Sequence, residues 1–267
     1  MKSASAIPVF MYHHVSPTPG LVTVSPATFR QHIATLANAG WRTAGLDDLA
    51  AFLAGAEVPA RTCILTFDDG YLDNFVHAHP ILREFGMHAV LFVVTDWLGN
   101  GPARQETTAT SSHAACMNSI TAGHADEVML RWSELEVMQA AGTFEFHSHT
   151  HTHQRWDRRL PDPVARCETL SADLQQSRET LMQHRSQVSE HLCWPQGYHD
   201  ALYRGCAVQA GFKYLYTTEK RVVSRVAEAH QIGRIVTKER PGQWLLSRAA
   251  WFSHPWLGKA YTWLQGR

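Results

Sequence analysis

Neither sign of charge is in excess in this chain. Across its 267 residues, 24 Lys and Arg face 24 Asp and Glu, for a formal net charge of zero. Nucleic-acid binders concentrate basic charge, so that class is not expected. No run of about 18 apolar residues occurs, so no segment is expected to span a membrane. Residues 1–15 hold no long apolar stretch before a small-residue cleavage site, and a secretory leader is not expected. Cysteine is scarce: Cys63, Cys116, Cys167, Cys193 and Cys206 make an odd count with no CxxC. That pattern argues against a disulfide framework and for a reducing compartment. Long disorder is excluded too, at 45% hydrophobic and 18% charged residues.

What the chain has in quantity is histidine, 17 in all. Four of them, His147, His149, His151 and His153, fall at alternate positions in "FEFHSHTHTH". Alone, such a tract fits metal storage or sensing as readily as catalysis.

The surrounding pattern supplies context. Short apolar runs at 7–12, 62–67, 88–94, 143–148, 190–194, 214–218 and 231–237 read as strands. Amphipathic stretches at 25–40, 72–86, 133–142 and 163–190 read as helices. Ser25, Pro26 and Gly40 suit the cap, first turn and stop of the first helix. Strand–helix alternation predicts a mainly parallel sheet. About seven such units point to a distorted (β/α)7–8 barrel in a single domain, 1–267. Residues 99–131, rich in Gly, Ser and Thr, read as a long loop beside the mouth.

Chemistry in such barrels sits where strands end. Here strands end in Tyr12-His13-His14, in Asp68-Asp69-Gly70, in the histidine cluster, and in Trp194-Pro195-Gln196-Gly197. Asp-Gly alone is a common turn signal. Beside histidines, however, two adjacent carboxylates can divide two roles. One binds a cation while the other stays free as a base. Two histidines, one carboxylate and an open position form a standard catalytic zinc set. Spacing leaves the histidine register open, since 147/151 and 149/153 are both four apart.

These residues resemble a known family, the NodB-homology polysaccharide deacetylases (carbohydrate esterase family four). "TFDDGY" is similar to that family's first motif, which implies Asp68 as general base and Asp69 as metal ligand. Its second motif, His-[Ser/Thr]-x-x-His, matches both registers. The family's flanks favour His149 and His153 as ligands, with His147 and His151 as neighbours. "CWPQGYHD" resembles the third motif but lacks its arginine, and implies an oxyanion donor in the Gln196 backbone N–H. "YHHV" resembles the N-terminal Tyr-His-x-[Val/Ile] segment of a circularly permuted branch, which implies His13 as general acid and leaves His14 structural. "HQIGRIVTK" resembles a late segment of that branch, so Arg234 is implied to pair with Asp68. The resemblance covers about 7–240.

The implied activity is metal-dependent removal of the N-acetyl group from an amino sugar in a bacterial surface glycan or its precursor. The implied cofactor is Zn2+ or another divalent transition metal. Trp97 and Trp132 are the pocket candidates for the sugar. The expected setting is cytoplasmic, at the inner membrane face. The tail from 241 onward is expected to form a helix on the barrel or to touch the membrane peripherally. The competing readings are a deformylase or other amidohydrolase of a lipid-linked sugar, and a non-catalytic glycan-binding barrel.

Overall fold

The computed structural model describes residues 2–184 and 188–265. The strands are β1 (Val9–Tyr12), β2 (His14–Val15), β3 (Thr23–Val24), β4 (Arg42–Thr43) and β5 (Thr62–Asp69), followed by β6 (Ala89–Val93), β7 (Phe144–Ser148), β8 (His191–Cys193), β9 (Tyr214–Tyr216) and β10 (Ile235–Val236). The helices are α1 (Pro26–Asn38), α2 (Leu46–Leu53), α3 (His79–Phe85), α4 (His113–Thr121) and α5 (Trp132–Ala140), then α6 (Trp156–Arg159), α7 (Pro163–His184), α8 (Ala201–Gln209), α9 (Gly242–Phe252) and α10 (Pro255–Gln265).

All pairings in the main sheet are parallel, in the order β10-β1-β5-β6-β7-β8-β9, with β4 added beside β5. The sheet curls until its edges approach each other. Ile232 bridges to Tyr216 of β9, while Ile235 and Val236 pair with Phe10 and Met11 of β1. One short segment therefore draws the two edges into the expected distorted (β/α) barrel.

One face of the strands packs outward against α1, α3, α5 and α9, through residues such as Phe10, Leu65, Phe67, Leu91 and Phe146. Alternation sends their neighbours inward. Val9, Ile64, Val90 and Phe92 pack together there. Thr66, Asp68, Glu145 and His147 share the parity of that inward set. Its upper end is polar because Asp68, Cys193 and Arg234 hydrogen-bond to one another there.

Several expected elements differ in extent. The stretch 99–131 is not structureless. Ser112 caps α4 by accepting the Ala115 N–H, and Cys116 packs with Tyr71, Val128 and Met129. A polar composition concealed a helix held by one buried anchor. The helix expected over 163–190 ends at His184; residues 185–187 lie outside the described residues. The tail forms two helices rather than one, separated before Pro255. Leu245, Ala249 and Phe252 of α9 join the core. Residues 266–267 of the expected tail are outside the described residues. The strand expected over 231–237 shrinks to β10. Three further helices, α2, α6 and α8, escaped the periodicity. The N-terminus of α2 is capped from a distance: the Glu145 carboxylate accepts the Leu46 N–H at 2.6 Å. Among the described residues, no helix is long and apolar enough to cross a membrane.

Candidate metal centre

Local backbone explains how two adjacent aspartates reach one cavity. In a regular strand they would point to opposite sides. Asp69 instead takes φ +75° and Gly70 φ +91°, so the chain turns at the strand end. Gly70 suits this turn, since a side chain at such φ is strained. Non-glycine residues with positive φ are uncommon and cluster at functional sites. Of the six in the described residues, Val22, Asp69, His153 and Gln196 line this cavity.

Geometry distinguishes the two histidine pairs. His149 Nε2 lies 3.3 Å from Asp69 Oδ1, and His153 Nε2 lies 3.4 Å from the same atom. These three ligand atoms all fall within 4.8 Å of one another. The buried Asp69 Oδ1 has no hydrogen-bond partner among the described residues. Hydrogen bonds to carboxylates close to about 2.8 Å. By contrast, a tetrahedral ion with bonds near 2.0 Å separates its ligands by roughly 3.3 Å. The observed spacings match that edge, so the residues fit a divalent metal. His149 Nδ1–H donates to the Cys193 carbonyl at 2.8 Å, which turns the Nε2 lone pair toward Asp69.

The other pair is engaged elsewhere. His147 Nδ1 meets Ser189 Oγ at 2.8 Å, and its Nε2 lies 3.2 Å from Glu145. His151 Nδ1 meets Thr95 Oγ1 at 2.8 Å. The loop between the ligand pair is propped from α7, whose Asp173 accepts the N–H groups of His151 and Thr152.

Asp68 has a different environment. Arg234 grips it bidentately, Nη1 to Oδ1 at 2.6 Å and Nη2 to Oδ2 at 2.7 Å. Arg234 is fully buried and also donates to Thr66, to the Thr217 carbonyl and to the Cys193 sulfur. Burial alone would raise the Asp68 pKa, but the guanidinium more than offsets it and the pKa is lowered. Asp68, His149 and Cys193 also lie close enough to hold an ion. Arg234 already supplies the cation for Asp68 and Cys193, so the Asp69 set is the better metal site.

His13 Nε2 sits 3.8 Å from Asp68 Oδ2. Burial lowers its pKa, with Asp68 and Asp69 pulling it back up and Arg234 and His149 adding to the fall. Burial likewise lowers His153 to about 4, although Asp69 opposes it. His14 behaves as a structural residue: its Nδ1 lies 2.5 Å from Asp73 Oδ2, and its ring stacks on Tyr71.

His13, Asp68, Asp69, His149 and His153 line one cavity of about 400 Å³, with Gln196, Thr218 and Trp97 on its walls. A larger cleft of about 580 Å³ lies behind α9, away from this chemistry. Trp132 does not reach the pocket. It is buried in the core, stacked on His184 at 3.9 Å. Sequence reasoning missed Met11, Leu21, Val22, Tyr71, His113 and Met117, which complete the lining. Tyr71 directly follows the aspartate turn, which is a usable signal. His113 had none. It enters from α4, its Nδ1 3.2 Å from His14 Nε2. Near the mouth, Gly197 is required: at φ +71° an added Cβ would lie 2.7 Å from the Thr218 backbone N.

Comparison with known proteins agrees with this architecture. Three solved structures superpose at a TM-score of 0.73. They are Streptococcus pyogenes deacetylase PplD in complex with acetate (20% identical, covering 92% of this chain and 99% of that one), IcaB from Ammonifex degensii (22%, 94% and 99%), and a de-N-acetylase from Aggregatibacter actinomycetemcomitans (18%, 91% and 99%). At these identities the likeness shows the fold. YxkH of Bacillus subtilis (strain 168) is 29% identical over 126 residues, 46% of this chain and 45% of YxkH. The chain's match thus spans about half the length of that curated relative. The family described as "Polysaccharide deacetylase" matches residues 55–215. With that match covering more than half of its length, the chain belongs to the polysaccharide deacetylase family.

Proposed function

We propose that the protein is a metal-dependent de-N-acetylase that hydrolyses the N-acetyl group of an amino sugar in a bacterial surface glycan or its precursor. The observation that carries this reading is the orphaned Asp69 Oδ1. It faces two histidine nitrogens at metal-edge spacing, beside a second, separately held carboxylate. Asp69, His149 and His153 hold the ion, and zinc suits a site with one oxygen and two nitrogen ligands. When bound, such an ion supplies Lewis acidity toward the acyl oxygen and the attacking water.

The chain's own groups do the rest. Asp68, fixed in place by Arg234, takes the proton from the attacking water. His13 delivers a proton to the departing amine. Its lowered pKa leaves it neutral at rest, so the proton it gives must be gained during the reaction. Asp68, 3.8 Å away, is the neighbour able to pass it on. The Gln196 N–H is assigned to the developing oxyanion. Water and amide become amine and acetic acid, which together leave as ammonium and acetate with no net proton taken from solvent.

Trp97, exposed to the cavity beside His153, suits the apolar face of a sugar ring. The setting proposed is the cytoplasm at the inner membrane face, with peripheral contact through the tail, where Trp256 is 70% and Trp263 59% exposed. The test is release of acetate from a panel of N-acetylated glycans and lipid-linked precursors by the zinc-loaded protein, with formate measured alongside. Acetate release abolished by Asp68→Asn supports the reading. Formate release alone would move the protein to the deformylase class.

A further inference from the structure

Two thiols meet where α7 packs on α8. Cys167 Sγ and Cys206 Sγ lie 2.9 Å apart, although the residues are 39 positions apart in sequence. Carbon atoms settle about 3.5–4.0 Å apart, and sulfur is larger, so this approach is closer than ordinary packing. Cys206 is buried with Leu170, Trp194 and Tyr203, while Cys167 is half-buried at the edge of that cluster. The remaining cysteines lie in other clusters: Cys63 under α1, Cys193 inside the barrel and Cys116 on the buried side of α4.

We propose that Cys167 and Cys206 form a reversible dithiol–disulfide pair, oxidised by exchange with a small-molecule disulfide of the glutathione type. Access sets the order. The Cys167 thiolate attacks one sulfur of the small disulfide, releases one thiol and carries a mixed disulfide. Cys206 then attacks the Cys167 sulfur and expels the second thiol. Two protein S–H bonds and one small-molecule S–S bond break. One protein S–S bond and two small-molecule S–H bonds form, and two electrons pass to the small molecule. Burial pushes the Cys206 thiol up to about 11, with Cys167 beside it. It is therefore a poor initiator, yet well placed to complete the exchange.

The bridge would join two elements that support the candidate site from different sides. Asp173 and Ser177 of α7 hold the loop that carries His149 and His153. α8 follows the Pro195–Gly197 turn, and its Tyr203 hydroxyl accepts the Asp157 N–H. In a reducing compartment the pair stays as thiols, so the bridge records oxidative exposure rather than building the fold. Cross-linking across that span also restricts the unfolded chain, and a melting temperature higher by roughly 5 °C is expected.

The test is independent of activity. The reduced protein is incubated with oxidised glutathione, unfolded, alkylated and weighed intact, and its peptides are mapped. The expected result is a loss of two of the five alkylated thiols, a peptide pair joined through Cys167 and Cys206, and full recovery with dithiothreitol. Cys206→Ser should instead retain one glutathione on Cys167. Five alkylated thiols after oxidation, a lasting glutathione adduct on wild-type Cys167, or a bridge through another cysteine would each overturn the proposal. The wild-type map decides even if the variant does not fold.

Discussion

Two pairs of histidines on one strand and its following loop meet opposite fates. Residues 149 and 153 converge on a carboxylate oxygen that has no hydrogen-bond partner among the described residues. Residues 147 and 151 share their spacing and parity, yet each meets a hydroxyl, Ser189 or Thr95. Residue type and periodicity are identical, so neither decides the role. What decides it is the unmet valence opposite: an orphaned carboxylate calls for a cation, while a hydroxyl completes a hydrogen bond. The adjacent aspartates teach the same lesson. Asp68 has its cation in Arg234, which holds it in place; Asp69 has no Lys or Arg partner among the described residues.

The comparison can be broken at each of its members. The largest expected effect is on turnover. Asp68→Asn should keep the metal and lower kcat by about 10²–10⁴-fold, the usual contribution of a general base; metal analysis and acetate release on one preparation check both halves. Next is Arg234→Met, which leaves Asp68 buried without its partner. We expect a loss of ~3–5 kcal/mol in urea unfolding, partly recovered when Asp68→Asn is added.

The same pair predicts a pH dependence. Asp68 has a lowered pKa in the folded state, so it stabilises the protein above the ordinary carboxylate range and loses that contribution as pH falls below about 4. Asp68→Asn should flatten this part of the stability profile. His147→Ala should cost about 1–3 kcal/mol, because Glu145 loses a buried partner, while metal content stays unchanged in the purified protein. The smallest effect is expected for His113→Ala, a few-fold rise in KM with kcat nearly constant, since this side chain lines the pocket and makes its contacts with His14 and Tyr71.

Much of this was legible before any coordinates. Strand–helix alternation pointed to the barrel because parallel strands buried on both faces read as short apolar runs. The aspartate pair and the histidine tract were legible because metal chemistry needs few residue types. What stayed hidden depended on distant partners. α2 starts where Glu145, far along the chain, caps it. α4 hides in a polar stretch and is anchored by Cys116 against Tyr71. Trp132 looked like a pocket wall from its place beside the long loop, yet it stacks on His184 in the core. The flank match with the family favoured the 149/153 register, which spacing alone had left open, and the left-handed turns at Thr150 and His153 are what bring those two side chains together.

The central claim is that Asp69, His149 and His153 hold one divalent ion. The direct measurement is metal stoichiometry by mass spectrometry after zinc loading and dialysis, on the wild type and on single alanine variants of residues 69, 147, 149, 151 and 153. The account predicts one ion per chain in the wild type and in the His147 and His151 variants, and loss of that ion in the other three. Zinc retained after Asp69→Ala, or lost after His147→Ala in a folded protein, would contradict it.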